Sequence, residues 1–92
     1  MEDWLERTKR LVGEEALCAL RASRVAVFGV GGVGSYAAEA LARAGVGALV
    51  LIDHDVITPS NVNRQIHALR STLGMPKVDV LRARILDINP DA

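Results

Sequence analysis

The residues best suited to chemistry begin with one run, Gly29-Val30-Gly31-Gly32-Val33-Gly34-Ser35, followed by a carboxylate, Asp53, and two cations, Arg64 and Lys77. Glycines spaced G-x-G-x-x-G between a strand and a helix let backbone amides approach a phosphate or ribose with no Cβ in the way. On that reading Gly29 permits the tight turn, Gly31 and Gly32 admit the ligand, and Gly34 lets the helix pack against the strand. The amides opening the helix then favour an anion. A plainer reading of the same glycines is a tight strand-to-helix connection with no ligand. Asp53 stands about 20 residues beyond the last glycine, where a carboxylate can accept hydrogen bonds from ribose hydroxyls. It could also cap the following turn, and Asp55 suits a turn as well as it suits a ligand.

Glycine turn and carboxylate serve NAD and ATP alike, so the segment beyond them has to separate the two. A dinucleotide lays its pyrophosphate over the glycine turn and needs no further cation. A triphosphate split at its α-phosphate needs positive charge near the leaving pyrophosphate. Arg64, after the polar loop Ser60-Asn61-Val62-Asn63, and Lys77, in a first helical turn where a cation opposes the helix dipole, could supply that charge. The bland alternative for Lys77 is a solvated lysine at a helix start. His67 could act as a base, but between Ile66 and Ala68 it reads first as a structural residue.

Holding these groups in place requires alternating strands and helices. Arg24 to Phe28 (RVAVF) and Ala48 to Ile52 (ALVLI) are short apolar runs without polar alternation, the pattern of parallel strands covered on both faces. Tyr36 to Ala44 between them is rich in alanine and leucine and stops at Gly45, as a helix does. Val56 to Arg64 concentrates turn formers, and Gln65 to Leu73 could hold a short helical turn. Pro76 suits the first turn of a helix reaching about Ile88, with Val78, Leu81, Ile85 and Ile88 as its apolar stripe. Ahead of the first strand, residues 1–22 read as a helical arm broken at Gly13. Two strands are fewer than a doubly covered parallel sheet needs, so residues 23–92 read as the N-terminal part of a larger α/β, Rossmann-like nucleotide-binding domain, cut after its second strand and following helix.

Composition closes off several classes. Ninety-two residues, half of them hydrophobic, can hold one small core and no second domain. Eleven basic residues balance eleven acidic ones, and a pI near 6.7 gives no electrostatic footprint for bulk nucleic-acid or membrane-surface binding. The single cysteine, Cys18, can form neither an internal disulfide nor a structural zinc site, reads as a small buried residue, and suits a reducing cytoplasm. No apolar run approaches a membrane span, and the acidic N-terminus is unlike a signal peptide.

In order, GVGGVGS, LIDHD, SNVNRQIHAL, GMPKVD and INPDA resemble the adenylating domain of the ubiquitin-activating-enzyme-like superfamily, from about Gly13 to Ala92. Within it, Asn63 to Leu69 and Gly13 to Leu17 are similar to the branch of tRNA threonylcarbamoyladenosine dehydratases. The resemblance implies that the glycine turn, Gly32 included, lies against ATP, that Asp53 holds the ribose, and that Asn61, Arg64 and Lys77 contact the nucleotide and its phosphates. It implies adenylation of a carboxylate, with modified tRNA as substrate or a sulfur-carrier protein as the alternative acceptor. It also implies a homodimer in which Arg7 or Arg10 could reach a neighbour's ATP, and a magnesium-binding aspartate outside these 92 residues. An NAD-dependent oxidoreductase, which would leave Arg64 and Lys77 idle, and an inactive dimerisation module are the rival readings.

Overall fold

The structure, a computed structural model, describes residues 3–92. After a 3-10 turn at Asp3–Leu5, the arm forms α1 (Glu6–Val12) and α2 (Glu14–Arg21), broken at Gly13 as the sequence predicts. Glu14 and Glu15 in the first turn of α2 and Arg21 in its last complement the helix dipole. Leu5 and Leu17 are buried, but Leu11 is exposed and the arm's apolar stripe is incomplete. Cys18 is exposed, contrary to the sequence-based expectation. The buried residue of α2 is Leu17, and the next residue along a helix points about 100° away from it.

Strands β1 (Arg24–Phe28) and β2 (Ala48–Ile52) pair in parallel, Arg24 opposite Ala48 and Phe28 opposite Ile52. Helix α3 (Gly32–Arg43) joins them and α4 (Lys77–Ile88) follows β2. The core is Val30, Ala38, Ala42, Leu81 and Ile85, with Val27, Leu49, Leu51 and Val78 packed against it. It lies on one face of the sheet. The alternate strand residues Phe28, Val50 and Ile52 remain exposed, Phe28 at 79%, so the predicted coverage of both faces is not found among the described residues.

Polar contacts lock the two helices together. Glu39 of α3 accepts hydrogen bonds from Arg84 of α4 and from Arg43 one turn on, the latter at 3.3 Å. Burial pushes the Glu39 carboxyl upward, and the two guanidinium bonds outweigh it, leaving the group below its ordinary value. Asn89, just past α4, donates from Nδ2 to Val46 O at 3.2 Å and so ties the end of α4 to the entrance of β2. Between Leu69 and Leu73 only a 3-10 turn forms, at Arg70–Thr72. Among the described residues no helix is long and apolar enough to cross a membrane.

Candidate functional site

The glycine turn leaves β1 at its C-terminal end, where Gly29 N donates to Ile52 O at 2.8 Å and Gly29 itself takes φ +86°, a conformation side-chain-bearing residues rarely adopt. A Cβ on Gly34 would lie 1.8 Å from Gly29 O, so that position is closed to every other residue. Gly31 and Gly32 are different. A Cβ there would meet only Gln65 Nε2 and the Arg64 side chain, each at 3.7 Å, an ordinary contact. Backbone conformation therefore favours glycine at 29 and packing requires it at 34, whereas at 31 and 32 glycine leaves clearance in front of the backbone.

Helix α3 makes an early backbone bond from Ser35 N to Gly31 O at 3.1 Å. The amides of the first turn of an α-helix have no acceptor within the helix and are free to face an anion. Beside them an open groove of about 560 Å³ is lined by Phe28, Gly29, Leu51, Ile52, Asp53, His54 and Asp55 at the C-terminal ends of the two strands. This is where parallel α/β sheets generally bind ligands.

Asp53 binds backbone. Its Oδ1 accepts Asp55 N at 2.8 Å, the turn-capping contact, and its Oδ2 accepts Val30 N at 2.9 Å across the two strand ends. The Asp55 amide is the main influence holding this carboxyl below its ordinary range; burial opposes it, and the Val30 amide, Lys77 and His54 reinforce it. Each oxygen keeps a second lone pair.

The two cations occupy unlike surroundings. Arg64 is exposed, donates from Nη1 to Ser60 O and Asn63 Oδ1, both at 2.9 Å, and lies against Gly32. Lys77 at the start of α4 has a side chain only 7% exposed, with Nζ 3.9 Å from Asp55 Oδ2, too long for a hydrogen bond. The solvated-lysine alternative is thereby excluded. Asn61 is buried and accepts Thr58 N at 2.9 Å through Oδ1, closing the 3-10 turn Pro59–Asn61. Arg7 and Arg10 lie elsewhere, on α1, where Arg10 pairs with Glu6 at 3.2 Å.

Asp53, His54 and Asp55 bring potential metal-ligand atoms within 4.8 Å of one another. The Lys77 ammonium, 3.9 Å from Asp55 Oδ2 and also lowering the pKa of Asp53, already places a positive charge beside this group and opposes a divalent cation there. The described residues offer magnesium no prepared set of ligands.

Residues 65–67, read from the sequence as part of a possible short helical turn and of the family-like run Asn63 to Leu69, prove central to the glycine turn. Gln65 and His67 are buried. Ser35, also buried, donates to Gly31 O and accepts Ile66 N at 3.4 Å, and His67 Nε2 donates to Val30 O at 2.6 Å. The structural reading of His67 is thus the one realised. The local signal for Ser35 is its place directly after the glycines; its partner lies 31 positions away.

The glycine turn at a strand end, the carboxylate just past the next strand and the cations beyond it all lie within residues 5–92, which match the pattern of the ThiF family, and the chain belongs to that family. It is 60% identical over 85 residues to the tRNA threonylcarbamoyladenosine dehydratase of Bacillus subtilis (strain 168), covering 92% of this chain and 34% of that protein. The crystal structure of Escherichia coli tRNA N6-threonylcarbamoyladenosine dehydratase, TcdA, in complex with ATP superposes with a TM-score of 0.94 at 49% identity, over 100% of this chain and 39% of that one. The molybdopterin-synthase adenylyltransferase of Escherichia coli (strain K12) is 46% identical over 72 residues, 78% of this chain and 29% of that protein. The chain spans about a third of the length of the curated dehydratase it resembles.

Proposed function

We propose that this chain is the ATP-binding N-terminal part of an adenylating enzyme that acts on threonylcarbamoyladenosine in tRNA. The carboxylate of the threonylcarbamoyl group attacks the α-phosphate of ATP, pyrophosphate leaves, and the acyl-adenylate then cyclises with loss of AMP. The observation that carries this reading is Lys77, whose side chain is largely buried beside the strand ends and whose ammonium makes only a 3.9 Å ion pair with Asp55, beyond hydrogen-bond range, so that a phosphate chain would supply the close acceptor it lacks. Residues 23–92 form the nucleotide-binding part and residues 1–22 the arm. Gly29, Gly31, Gly32 and Gly34 shape the cradle, and the free lone pairs of Asp53 accept the ribose hydroxyls. Asn61, Arg64 and Lys77 face the phosphates, with Arg64 and Lys77 stabilising the charge that builds on the departing pyrophosphate. Magnesium, tRNA and cytoplasmic residence complete the proposal, as does a homodimer in which Arg7 or Arg10 serves the neighbouring site; the main magnesium ligand lies outside these residues. The likeness to molybdopterin-synthase adenylyltransferase supports a second acceptor, the C-terminus of a sulfur-carrier protein, on the same nucleotide chemistry.

Titration calorimetry with ATP and NAD, alongside pyrophosphate exchange in the full-length protein, tests this. ATP should bind and NAD should not. Arg64→Ala and Lys77→Ala should each weaken ATP binding by about 1 to 3 kcal/mol, as for a lost charge-assisted hydrogen bond, and should slow exchange further. Gly31→Val should block the site without unfolding the chain. Tight NAD binding would move the assignment to an oxidoreductase, and binding of neither nucleotide would leave a module for subunit contacts.

A further inference from the structure

The two peptide groups that flank Val30 are held from distant places: the Val30 N–H by Asp53 just past β2, and the Val30 C=O, in the next peptide, by His67 in the segment that follows Arg64. The next carbonyl, Gly31 O, is taken by Ser35 Oγ, which in turn accepts Ile66 N. In a trans peptide the C=O and the following N–H point in opposite directions. Capture of Val30 O and Gly31 O on one side therefore aims the Gly31 and Gly32 amides to the other. A carbonyl only accepts, so His67 carries its hydrogen on Nε2 and leaves Nδ1 as an acceptor. That Nδ1 is buried without a hydrogen-bond partner among the described residues. An apolar side chain of similar volume would fill the space but would leave Val30 O without this donor, so what the histidine adds to packing is the hold on that carbonyl.

We propose that His67 is a positioning residue for nucleotide binding: by holding Val30 O it fixes the peptide plane that presents the Gly31 amide to the phosphates. This rests on the ATP-binding reading above. Gln65 and Ser35 flank the same contact, but the His67 bond to Val30 O joins the post-Arg64 segment directly to the first peptide of the turn.

The test compares wild type, His67→Leu, which removes the donor, and His67→Gln, whose amide nitrogen can reach a similar point, all in the full-length protein. Three quantities are read: ATP affinity by calorimetry, melting temperature, and the Gly31 amide resonance without nucleotide. His67→Leu should raise the ATP Kd about tenfold or more while His67→Gln restores it to within about threefold, and the Gly31 resonance should move in the first and return in the second. A lower melting temperature with unchanged ATP affinity in His67→Leu would make His67 a packing residue and overturn the proposal. Failure of the wild type to bind ATP would refute the nucleotide reading itself; the clamp is then decided by the resonance alone, and an unmoved Gly31 signal overturns it. Should His67→Leu not fold, His67→Asn, whose amide stops short of Val30 O, takes its place in the same comparison.

Discussion

The two faces of the β1–β2 sheet are made of similarly apolar residues but meet different surroundings. Val27, Leu49 and Leu51 pack against α3 and α4, whereas Phe28, Val50 and Ile52, one position out of phase, stay exposed. Hydrophobicity does not separate these sets; the placement of the helices does. Helix α3, which joins the two strands, and α4, which packs beside it, lie on the same face and leave the other bare among the described residues. The glycine turn lies at the boundary between these environments. Val30 belongs to the packed core, while Phe28 and Gly29, immediately before it, line the open groove.

Substitutions on the packed face should cost most. Leu81→Ala removes a fully buried side chain from the helix–sheet interface and should destabilise the chain by about 2 to 5 kcal/mol, read as a lower urea midpoint. A cost no greater than that of a surface substitution would mean that the core is not closed around Leu81. At the boundary, Asp53→Asn sets an amide NH₂ against one of two N–H donors and should cost about 1.5 to 3 kcal/mol, the scale of hydrogen bonds to a charged group. Because the folded-state pKa of Asp53 lies below its ordinary 3.8, the wild-type advantage is present above that value and is lost as pH falls through the lowered pKa. Paired urea titrations at neutral pH and near pH 3 should show the gap shrinking with acidification; a gap that widens would reverse the assignment. On the open face, Phe28→Ser with Ile52→Ser should change stability by less than about 1 kcal/mol and should reduce self-association in sedimentation. Cooperative unfolding of the double variant at room temperature would show that this face is covered in solution.

Much of this was legible in the sequence because it depends on neighbours along the chain. Both strands fall where their apolar runs place them, and α4 starts one residue after Pro76. The start of α3 at Gly32, ahead of Tyr36, was hidden because glycine is a poor helix former. Close packing of Gly34 under Gly29 O outweighs that local preference. The glycine turn and Asp53 were visible as a motif, but the backbone bond from Val30 to Asp53 joins residues 23 apart, and the His67 contact spans 37. No local pattern encodes such a pairing. The burial of Lys77 was equally hidden, since it depends on α4 starting against the Asp55 end of β2, with Lys77 N bonded to Asp55 O at 3.1 Å. Two strands alone imply uncovered apolar surface, but which face is bare was hidden, because an apolar strand reads the same whether or not a partner lies over it.

The parallel register of β1 and β2 also bears on how fast the chain can fold. Parallel neighbours cannot be joined by a tight hairpin, so every rung from Arg24–Ala48 to Phe28–Ile52 must wait for the intervening segment to close into a loop. Helix α3 shortens that search, because its local bonds form quickly and bring the two strand ends within reach before any rung is made. The glycines at the start of α3 slow the same step, since they weaken the helix that closes the loop. The glycines that leave clearance at the turn therefore also delay the moment at which the sheet can assemble.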